Sequence, residues 1–281
     1  MILRRRIVAL AVLAAAVAVT WFAIDSVGGG GEKRPAVVAP PRPFRVVFPE
    51  GFTRAEMAAR IAAVDRIAKR ERGVEPRLSA RRYLARTAEA KLPGRFAGDG
   101  KRRSLEGFLF PATYQFTAKT TSAQLVAQQL KAFRRNWKRV NLRYARSKNL
   151  TPYDVLIIAS MIEKEVSAPD ERQLVAAVIY NRLHAHMQLG IDATIRYALH
   201  VPPTKSLRES QLNSPNPYNT RTNYGLPPTP IANPGLASMQ AAAHPAHVKY
   251  LYFVRKPDKR HHFFTVSKRA FDNYKRAHGY P

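Results

Sequence analysis

One stretch, residues 151–166, constrains the fold of this chain more than any other. Thr151 is suited to cap the start of a helix, Pro152 fits the first helical position, and Asp154 completes a capping box. The residues that follow are apolar on almost every face of the predicted helix, and a helix of that kind is normally buried in the middle of a domain. We therefore expect the rest of the chain to pack around this helix.

Two glutamates, Glu163 and Glu165, lie at the end of the predicted helix. At about 100° per residue they are separated by roughly 200° around the helix axis, so they cannot easily serve one site together. Both flank apolar surface, where loss of hydration raises the pKa of a carboxyl group and suits it to act as a general acid at neutral pH. The pattern predicts that one of them is the acid and does not say which. A structural role for a buried glutamate is the alternative.

The chain is strongly basic, because 47 Lys and Arg against 19 Asp and Glu give a formal net charge of +28. A surface of this kind attracts polyanions, which include nucleic acids, anionic lipids and acidic polymers. From composition alone, a nucleic-acid-binding protein is therefore one hypothesis.

The N-terminus argues against that hypothesis. Residues 1–6 end in three arginines, and residues 7–24 carry no charge, which is near the lower limit of the ~20 residues that cross a membrane as a helix. We expect residues 7–24 to be a single-pass anchor in the inner (cytoplasmic) membrane, with residues 1–6 in the cytoplasm and the remainder outside it. A cleaved signal peptide is the alternative. An exported domain is separated from chromosomal DNA, so the prediction is that nucleic acid is not the partner.

The chain after the predicted anchor is expected to form an α+β fold. Residues 25–43 are rich in Gly and Pro and predict a linker. Residues 44–104 begin with a strand, a turn and a Thr-capped helix, which resemble the small glycan-binding LysM-like module, and continue into a basic helical region. A strand–helix unit packed on the main domain is the alternative. Residues 105–281 predict a mostly helical domain with short strands, which would carry the active site.

The sequence lacks the motifs of several enzyme classes. It has no Gly-rich phosphate loop of a nucleotide-binding enzyme, no Gly-x-Ser-x-Gly motif of a serine hydrolase, and no cysteine for thiolate chemistry. Residues 206–235 form a long segment rich in Pro, Asn and Tyr, and a loop of this length is either functional or disordered. Its apolar residues favour an ordered loop that presents Asn and Tyr side chains to a sugar. With a buried carboxylate, this loop is consistent with cleavage of a glycosidic bond. A Ser-His-Asp arrangement is the open alternative, without a local motif to support it.

Six motifs, in order, resemble those of the MltG (YceG-like) endolytic murein transglycosylases. They comprise residues 106–114, 159–165, 180–183, 192–194, 218–220 and 225–235, and the resemblance runs from about residue 44 to the C-terminus. The departures are modest, such as Ala193 where the family often has Pro.

The resemblance implies a catalytic role for Glu163, the first glutamate of its motif. The motifs further imply a set of substrate-binding residues, namely Glu106, Tyr114, Ser160, Tyr180, Asn181, Asp192, Thr194, Tyr218, Asn219 and Thr220. The implied reaction cleaves the bond between N-acetylmuramic acid (MurNAc) and N-acetylglucosamine (GlcNAc) within glycan strands. It leaves 1,6-anhydroMurNAc ends and stops elongation of nascent strands. No metal or organic cofactor is implied.

The implied partners are peptidoglycan strands, the membrane and the cell-wall synthases. Two hypotheses from other classes compete with the enzyme. One is a non-catalytic peptidoglycan-binding scaffold of the cell-wall synthesis machinery, which would not require Glu163. The other is an exported nucleic-acid binder, whose affinity for duplex DNA should fall steeply with salt.

Overall fold

The computed structural model describes residues 43–96 and 102–280, and there the chain forms an α+β fold. The helices and strands follow in this order: β1 (Phe44–Val47), α1 (Arg54–Arg72), α2 (Ala80–Ala88), β2 (Ala90–Lys91), β3 (Arg102–Arg103), β4 (Thr113–Phe116), α3 (Ser122–Trp137), α4 (Arg143–Ser147), α5 (Pro152–Glu165), α6 (Arg172–His184), α7 (Asp192–Ala198), α8 (Glu209–Leu212), α9 (Leu236–Ala243), β5 (Tyr252–Arg255), β6 (His262–Thr265) and α10 (Lys268–Ala277). Short 3-10 turns cover Gly94–Phe96 and Pro169–Glu171.

Helix α5 is the buried centre of the fold, as its sequence predicts. The Thr151 N–H donates to Asp154 Oδ2 at 2.8 Å, and the Asp154 N–H donates back to Thr151 Oγ1 at 3.2 Å, which completes the capping box. All residues from Val155 to Ile162 are buried. Helices α6 and α9 pack against α5, so its C-terminal end is held between other elements.

Strands contribute three antiparallel pairs in the described residues: β1 with β4, β2 with β3, and β5 with β6. In the first pair Val46 lies opposite Tyr114, and the rings of Phe44 and Phe116 stack at 5.4 Å. This pair joins the start of the predicted LysM-like module to the segment after residue 105. The division into residues 44–104 and 105–281 stays a prediction.

The predicted transmembrane helix needs correction. Within residues 43–96 and 102–280 no helix is long and apolar enough to cross a membrane. Helix α1 has 19 residues but is rich in charged side chains, and the apolar α5 has 14 residues, short of the ~20 needed. The fold is therefore α+β without a supported membrane-spanning helix, and the predicted single-pass inner-membrane location is withdrawn. Residues 1–42, which contain the predicted anchor at 7–24 and nearly all of the linker, lie outside the described residues.

Candidate active site

A cavity of about 1290 Å³ lies at the C-terminal end of α5. Its walls come from the start of α1, the segment around α7, the β5–β6 hairpin and α10. Pockets for small ligands usually measure about 300–1,000 Å³, so this one is large enough for an extended ligand. It is the candidate active site because it combines this size with carboxyl groups that lie in a desolvated environment.

Glu165 lines this cavity from the last position of α5. Burial raises the pKa of its carboxyl group above the ordinary value, and the neighbouring Asp192 carboxylate raises it further. The Arg255 guanidinium and the backbone N–H of Ala193 act in the opposite direction. A raised pKa at a cavity wall suits a carboxyl group to serve as a general acid.

Glu106 is a second acidic residue of the cavity and is only 2% exposed. Both of its oxygens accept from the Arg54 N–H, at 3.0 and 3.1 Å, and it also accepts from Asn233 Nδ2 at 2.7 Å and Tyr197 Oη at 3.2 Å. Burial raises the pKa of Glu106 to about 7, against the effect of these donors. Glu106 thus connects the start of α1, the end of α7 and the segment before α9.

Glu163 has different surroundings from Glu165 and is not among the described residues that line this cavity. Its Oε2 accepts a hydrogen bond of 2.9 Å from the backbone N–H of Gly235, at the start of α9. Glu50, which precedes α1, lies against Gly235, and the Glu163 charge contributes to raising the pKa of Glu50, after the larger effect of burial. The two glutamates of α5 therefore belong to separate environments, as the angle between them predicts.

Ser160 acts inside the fold. It is fully buried, its hydroxyl donates to the Ile157 carbonyl at 2.7 Å, and its oxygen accepts from the Ile231 N–H at 3.0 Å. Together with the Gly235–Glu163 bond, this contact holds residues 231–235 along one side of α5.

The motif threonines, Tyr218 and Asn219 hold the long loop in place. Thr220 Oγ1 accepts from the Ile191 N–H at 2.9 Å, and the Thr194 hydroxyl donates to the Ile191 carbonyl at 2.7 Å. Asn219 Nδ2 donates to two carbonyls within the loop, at 2.8 Å each. The Tyr218 hydroxyl lies 2.7 Å from the Thr229 hydroxyl. The loop is ordered as predicted, but these polar groups are used within the protein.

Three further predicted residues also have protein partners. The Tyr114 hydroxyl donates to the Phe110 carbonyl at 2.7 Å, and the Tyr180 hydroxyl donates to the Ala242 carbonyl at 2.8 Å. Asn181 Nδ2 donates to the carbonyls of Val248 and Tyr250, at 2.9 Å each. These contacts position α6 and the strand segments, and none of the three residues lines the cavity within the described part of the chain.

Asp192 does line the cavity, at the first position of α7. It accepts from Arg221 Nε at 2.5 Å, in a partly exposed ion pair. Of the predicted substrate-binding residues, the structure therefore brings Glu106 and Asp192 to the cavity, together with Glu165.

Basic side chains outnumber acidic ones around the cavity. The basic ones are Arg54, Lys164, Arg182, Arg196, Arg221, Arg255, Lys268 and Lys275, and the acidic ones are Glu56, Glu106, Glu165 and Asp192. The wall is positive on balance and favours a ligand with anionic groups. Among residues 43–96 and 102–280, no group of three or more His, Asp or Glu residues is placed to hold a metal ion.

Sequence reasoning missed two partners of Glu106 and a buried pair at the cavity wall. Asn233 lies in the motif at residues 225–235, which could have marked it, whereas nothing distinguished Tyr197. The pair is formed by Glu171 and His262, 91 residues apart in sequence. No local pattern predicts a contact of that separation.

The chain is similar to known proteins over most of its length. Residues 33–277 match the model of the YceG-like family. The chain is 31% identical to a Bacillus subtilis endolytic murein transglycosylase over 217 residues, which is 76% of this chain and 59% of that protein. It is 33% identical to a Streptococcus pneumoniae protein of the same name over 246 residues, 81% of this chain and 42% of the other. The chain thus spans about half the length of these relatives.

A solved structure agrees with the fold. A yceG-like protein from Listeria monocytogenes superimposes with a TM-score of 0.68 at 29% sequence identity, covering 85% of this chain and 77% of the other. The family match extends over most of the sequence and includes both α5 glutamates and all the cavity-lining residues except Tyr280. The chain therefore belongs to the YceG-like family.

Proposed function

We propose that this chain is a lytic transglycosylase that cleaves the MurNAc–GlcNAc bond within peptidoglycan strands and leaves 1,6-anhydroMurNAc ends. The observation that carries the proposal is the position of Glu165, a carboxyl group with a raised pKa at the wall of a large cavity. Two relatives named endolytic murein transglycosylase support the substrate class. The basic wall suits a glycan whose lactyl and peptide substituents carry carboxylates.

One carboxyl group can perform both steps of this reaction. Protonated Glu165 donates its proton to the glycosidic oxygen, the bond from that oxygen to C1 of MurNAc breaks, and C1 becomes oxocarbenium-like. The resulting carboxylate then accepts the proton of the MurNAc C6 hydroxyl, whose oxygen bonds to C1. The product is the anhydro ring, the acid is regenerated, and no water is consumed.

Glu163, which the family resemblance implied, is the competing assignment of the acid. We favour Glu165 because it lines the cavity, whereas Glu163 accepts a hydrogen bond from Gly235 and is not among the described residues that line the cavity. Glu106 and Asp192 are proposed to contact the substrate or to set the charge near it. The other predicted residues, from Tyr114 to Thr220, are proposed to support the cavity walls through their contacts within the protein.

Two further proposals concern the biological role. The chain would stop elongation of nascent strands, which places it close to the cell-wall synthases, and co-purification with a synthase would test that contact. Residues 44–104 would bind glycan as a LysM-like module. To test this role, exposed residues of this segment are changed. Loss of sedimentation with purified peptidoglycan would support it.

The test of the activity is product analysis. The protein is incubated with purified peptidoglycan, and the released fragments are separated and weighed by mass spectrometry. We expect fragments lighter by one water than the hydrolysis products, without a reducing end. Fragments with ordinary reducing ends would mean that water is the nucleophile, and absence of any cleavage would favour a non-catalytic scaffold.

A further inference from the structure

A buried acid–base pair lies at the wall of the cavity and has no part in the reaction described above. His262 on β6 contacts Glu171, which ends the 3-10 turn between α5 and α6. His262 Nδ1 is 2.6 Å from Glu171 Oε2, and the His262 backbone N–H donates to Oε1 at 2.9 Å. Both carboxylate oxygens therefore bind the same residue, which fixes the position of the imidazole.

A contribution to the stability of the fold does not by itself explain the presence of this pair. The side chains are 2% and 8% exposed, so both polar groups lose their hydration when the chain folds. Buried pairs of this type can often be replaced by apolar residues without loss of stability, because desolvation offsets their attraction. The presence of the pair at a cavity wall suggests a role toward a ligand.

The second ring nitrogen of His262, Nε2, is available to such a ligand. A carboxylate accepts hydrogen bonds, so Nδ1 carries the hydrogen in the contact with Glu171, and this contact determines the role of the other nitrogen. Within the described residues Nε2 has no hydrogen-bond partner from the protein, and His262 is one of the residues that line the cavity. The rings of Phe253 and Phe264 lie 5.3 and 6.0 Å from the imidazole and restrict its rotation.

The β5–β6 hairpin brings His262 to the end of α5. Arg255 lies directly opposite His262 in the strand pair, and opposite residues of an antiparallel pair point to the same face. Arg255 Nη2 donates to the main-chain carbonyl of Glu165 at 3.3 Å. The face of the hairpin that carries His262 is thus the face that contacts the end of α5.

We propose that His262, held in place by Glu171, is a substrate-binding residue of this cavity whose Nε2 forms a hydrogen bond with a hydroxyl or acetamido group of the glycan. The proposal rests on the proposed function, because the ligand is taken to be a peptidoglycan strand. His262 binds and orients the sugar and transfers no proton, so its loss should weaken substrate binding more than the chemical step.

Two substitutions distinguish the roles of the two ring nitrogens of His262. In His262→Asn the amide nitrogen takes the place of Nδ1, so the contact with Glu171 is kept and Nε2 is lost. In His262→Gln the amide nitrogen takes the place of Nε2, and the contact with Glu171 is lost. We expect His262→Asn to melt near the wild-type temperature with a KM raised about 10-fold and kcat within about twofold, as for a lost substrate hydrogen bond. His262→Gln should melt lower and have a KM closer to wild type.

A purely structural role predicts another result. His262→Asn would then have wild-type KM and kcat, or the two variants would have the same KM despite different melting temperatures, and either result would overturn the proposal. If wild type itself yields no anhydro product, the proposed function fails instead, and the two failures are thereby distinguished.

A second measurement observes the His262 ring itself and uses His262→Asn only to assign the resonances. The protein is labelled with ¹⁵N at histidine, in the glutamate variant (Glu165→Gln or Glu163→Gln) that leaves substrate uncut. An uncut GlcNAc–MurNAc tetrasaccharide with stem peptides is then added. We expect the Nε2 resonance of His262, assigned by its absence from His262→Asn, to shift while Nδ1 changes little. An unchanged Nε2 resonance at saturating tetrasaccharide would overturn the proposal.

Discussion

The backbone N–H of Gly235 donates a hydrogen bond of 2.9 Å to Oε2 of Glu163. This bond joins the start of α9 to the end of α5 and places a carboxylate at a helix N-terminus, where negative charge is favourable. Glu165, two residues further on, faces the cavity instead. The same helix end therefore uses one glutamate to hold residues 231–235 in place and leaves the other at the cavity wall.

The close packing of residues 106–110 against the long loop gives a first prediction. Gly107 has a φ of +89°, and a Cβ there would lie 2.7 Å from two atoms of the rigid Pro230 ring. Gly107→Ala combines a strained backbone with overpacking, so we expect a loss of about 3 kcal/mol or more in the free energy of unfolding. Denaturant titration measures this loss.

The matched control is Gly73→Ala. Gly73 also has a positive φ, +59°, but nothing lies within 4 Å of a Cβ at this position. Only the backbone strain remains, and the cost should be about 1 kcal/mol. Equal costs for the two variants would mean that Pro230 moves away freely and that the loop is not held as tightly as its contacts indicate.

The buried Glu106 predicts how stability depends on pH. Burial raises its pKa in the folded state to about 7 from the model-compound value of 4.5, so folding favours the protonated form. This contribution to stability is fully present below pH 4.5 and is lost as the pH rises through 7. The shift corresponds to on the order of 3 kcal/mol. Urea titrations of wild type from pH 4 to 8 should show this fall.

The comparison variant for this prediction is Glu106→Gln, which cannot ionise. Its free energy of unfolding should change less between pH 4 and 8 than that of wild type. Its amide carries two N–H groups where the protonated carboxyl carries one O–H, so it adds a donor among the donors from Arg54, Asn233 and Tyr197, and the variant should be less stable at low pH. The same pH dependence in both proteins would assign the effect to another group.

Much of the fold could be predicted because its signals are local. The capping box of Thr151 and Asp154 and the apolar faces of α5 depend on residues adjacent in sequence, and both are present. The choice between Glu163 and Glu165 depends on which side of the helix residues 231–235 cover. That contact joins residues about 70 positions apart, and the periodicity of a single helix gives no information about it.

The polar loop residues were difficult to assign for a related reason. Asn and Thr side chains are suited both to binding a sugar and to satisfying backbone groups in an irregular loop. Asn219 and Thr220 do the second, because a loop buried against α7 has carbonyl and N–H groups that water does not reach. The sequence shows which residue types are available and does not show which backbone groups need a partner.

The basic composition leads to a prediction about salt. Many exposed Lys and Arg side chains attract acidic polymers over long range, and ions screen this attraction. Raising the salt concentration should weaken sedimentation with peptidoglycan far more than turnover of a short soluble glycan. An equal loss of both would mean that the basic residues of the cavity take part in the reaction itself.

The raised pKa of Glu165 predicts the shape of the pH–rate profile. The acid must carry its proton to cleave the glycosidic bond, so kcat/KM should fall as the pH rises through the pKa of Glu165 in the free enzyme. Because burial and Asp192 raise that pKa, this decline should lie above pH 4.5. Asp192→Asn removes the neighbouring charge and should move the decline to lower pH. A decline that stays in place in Asp192→Asn and disappears in Glu106→Gln would assign it to Glu106.

The last prediction decides between the two glutamates of α5. Glu165→Gln keeps the shape of the side chain but removes the proton that it can donate, so anhydromuramyl products should fall by at least ~10²–10⁴-fold while the fold is retained. Glu163→Gln is the matched control. Its amide oxygen still accepts from the Gly235 N–H, so this variant should retain most of its activity and lose little stability. Muropeptide analysis and melting curves of the two proteins provide both readouts.

The opposite result has an equally definite meaning. If Glu163→Gln is inactive and Glu165→Gln is active, the family-based assignment of Glu163 is correct, and residues 231–235 must move to admit the glycan beside Gly235. Replacing Gly235 by Ala would then test that movement, since a Cβ there would overlap the Glu50 carboxylate. If both glutamine variants remain active, the acid lies elsewhere in the cavity. Glu106, with its pKa of about 7, is then the next residue to change.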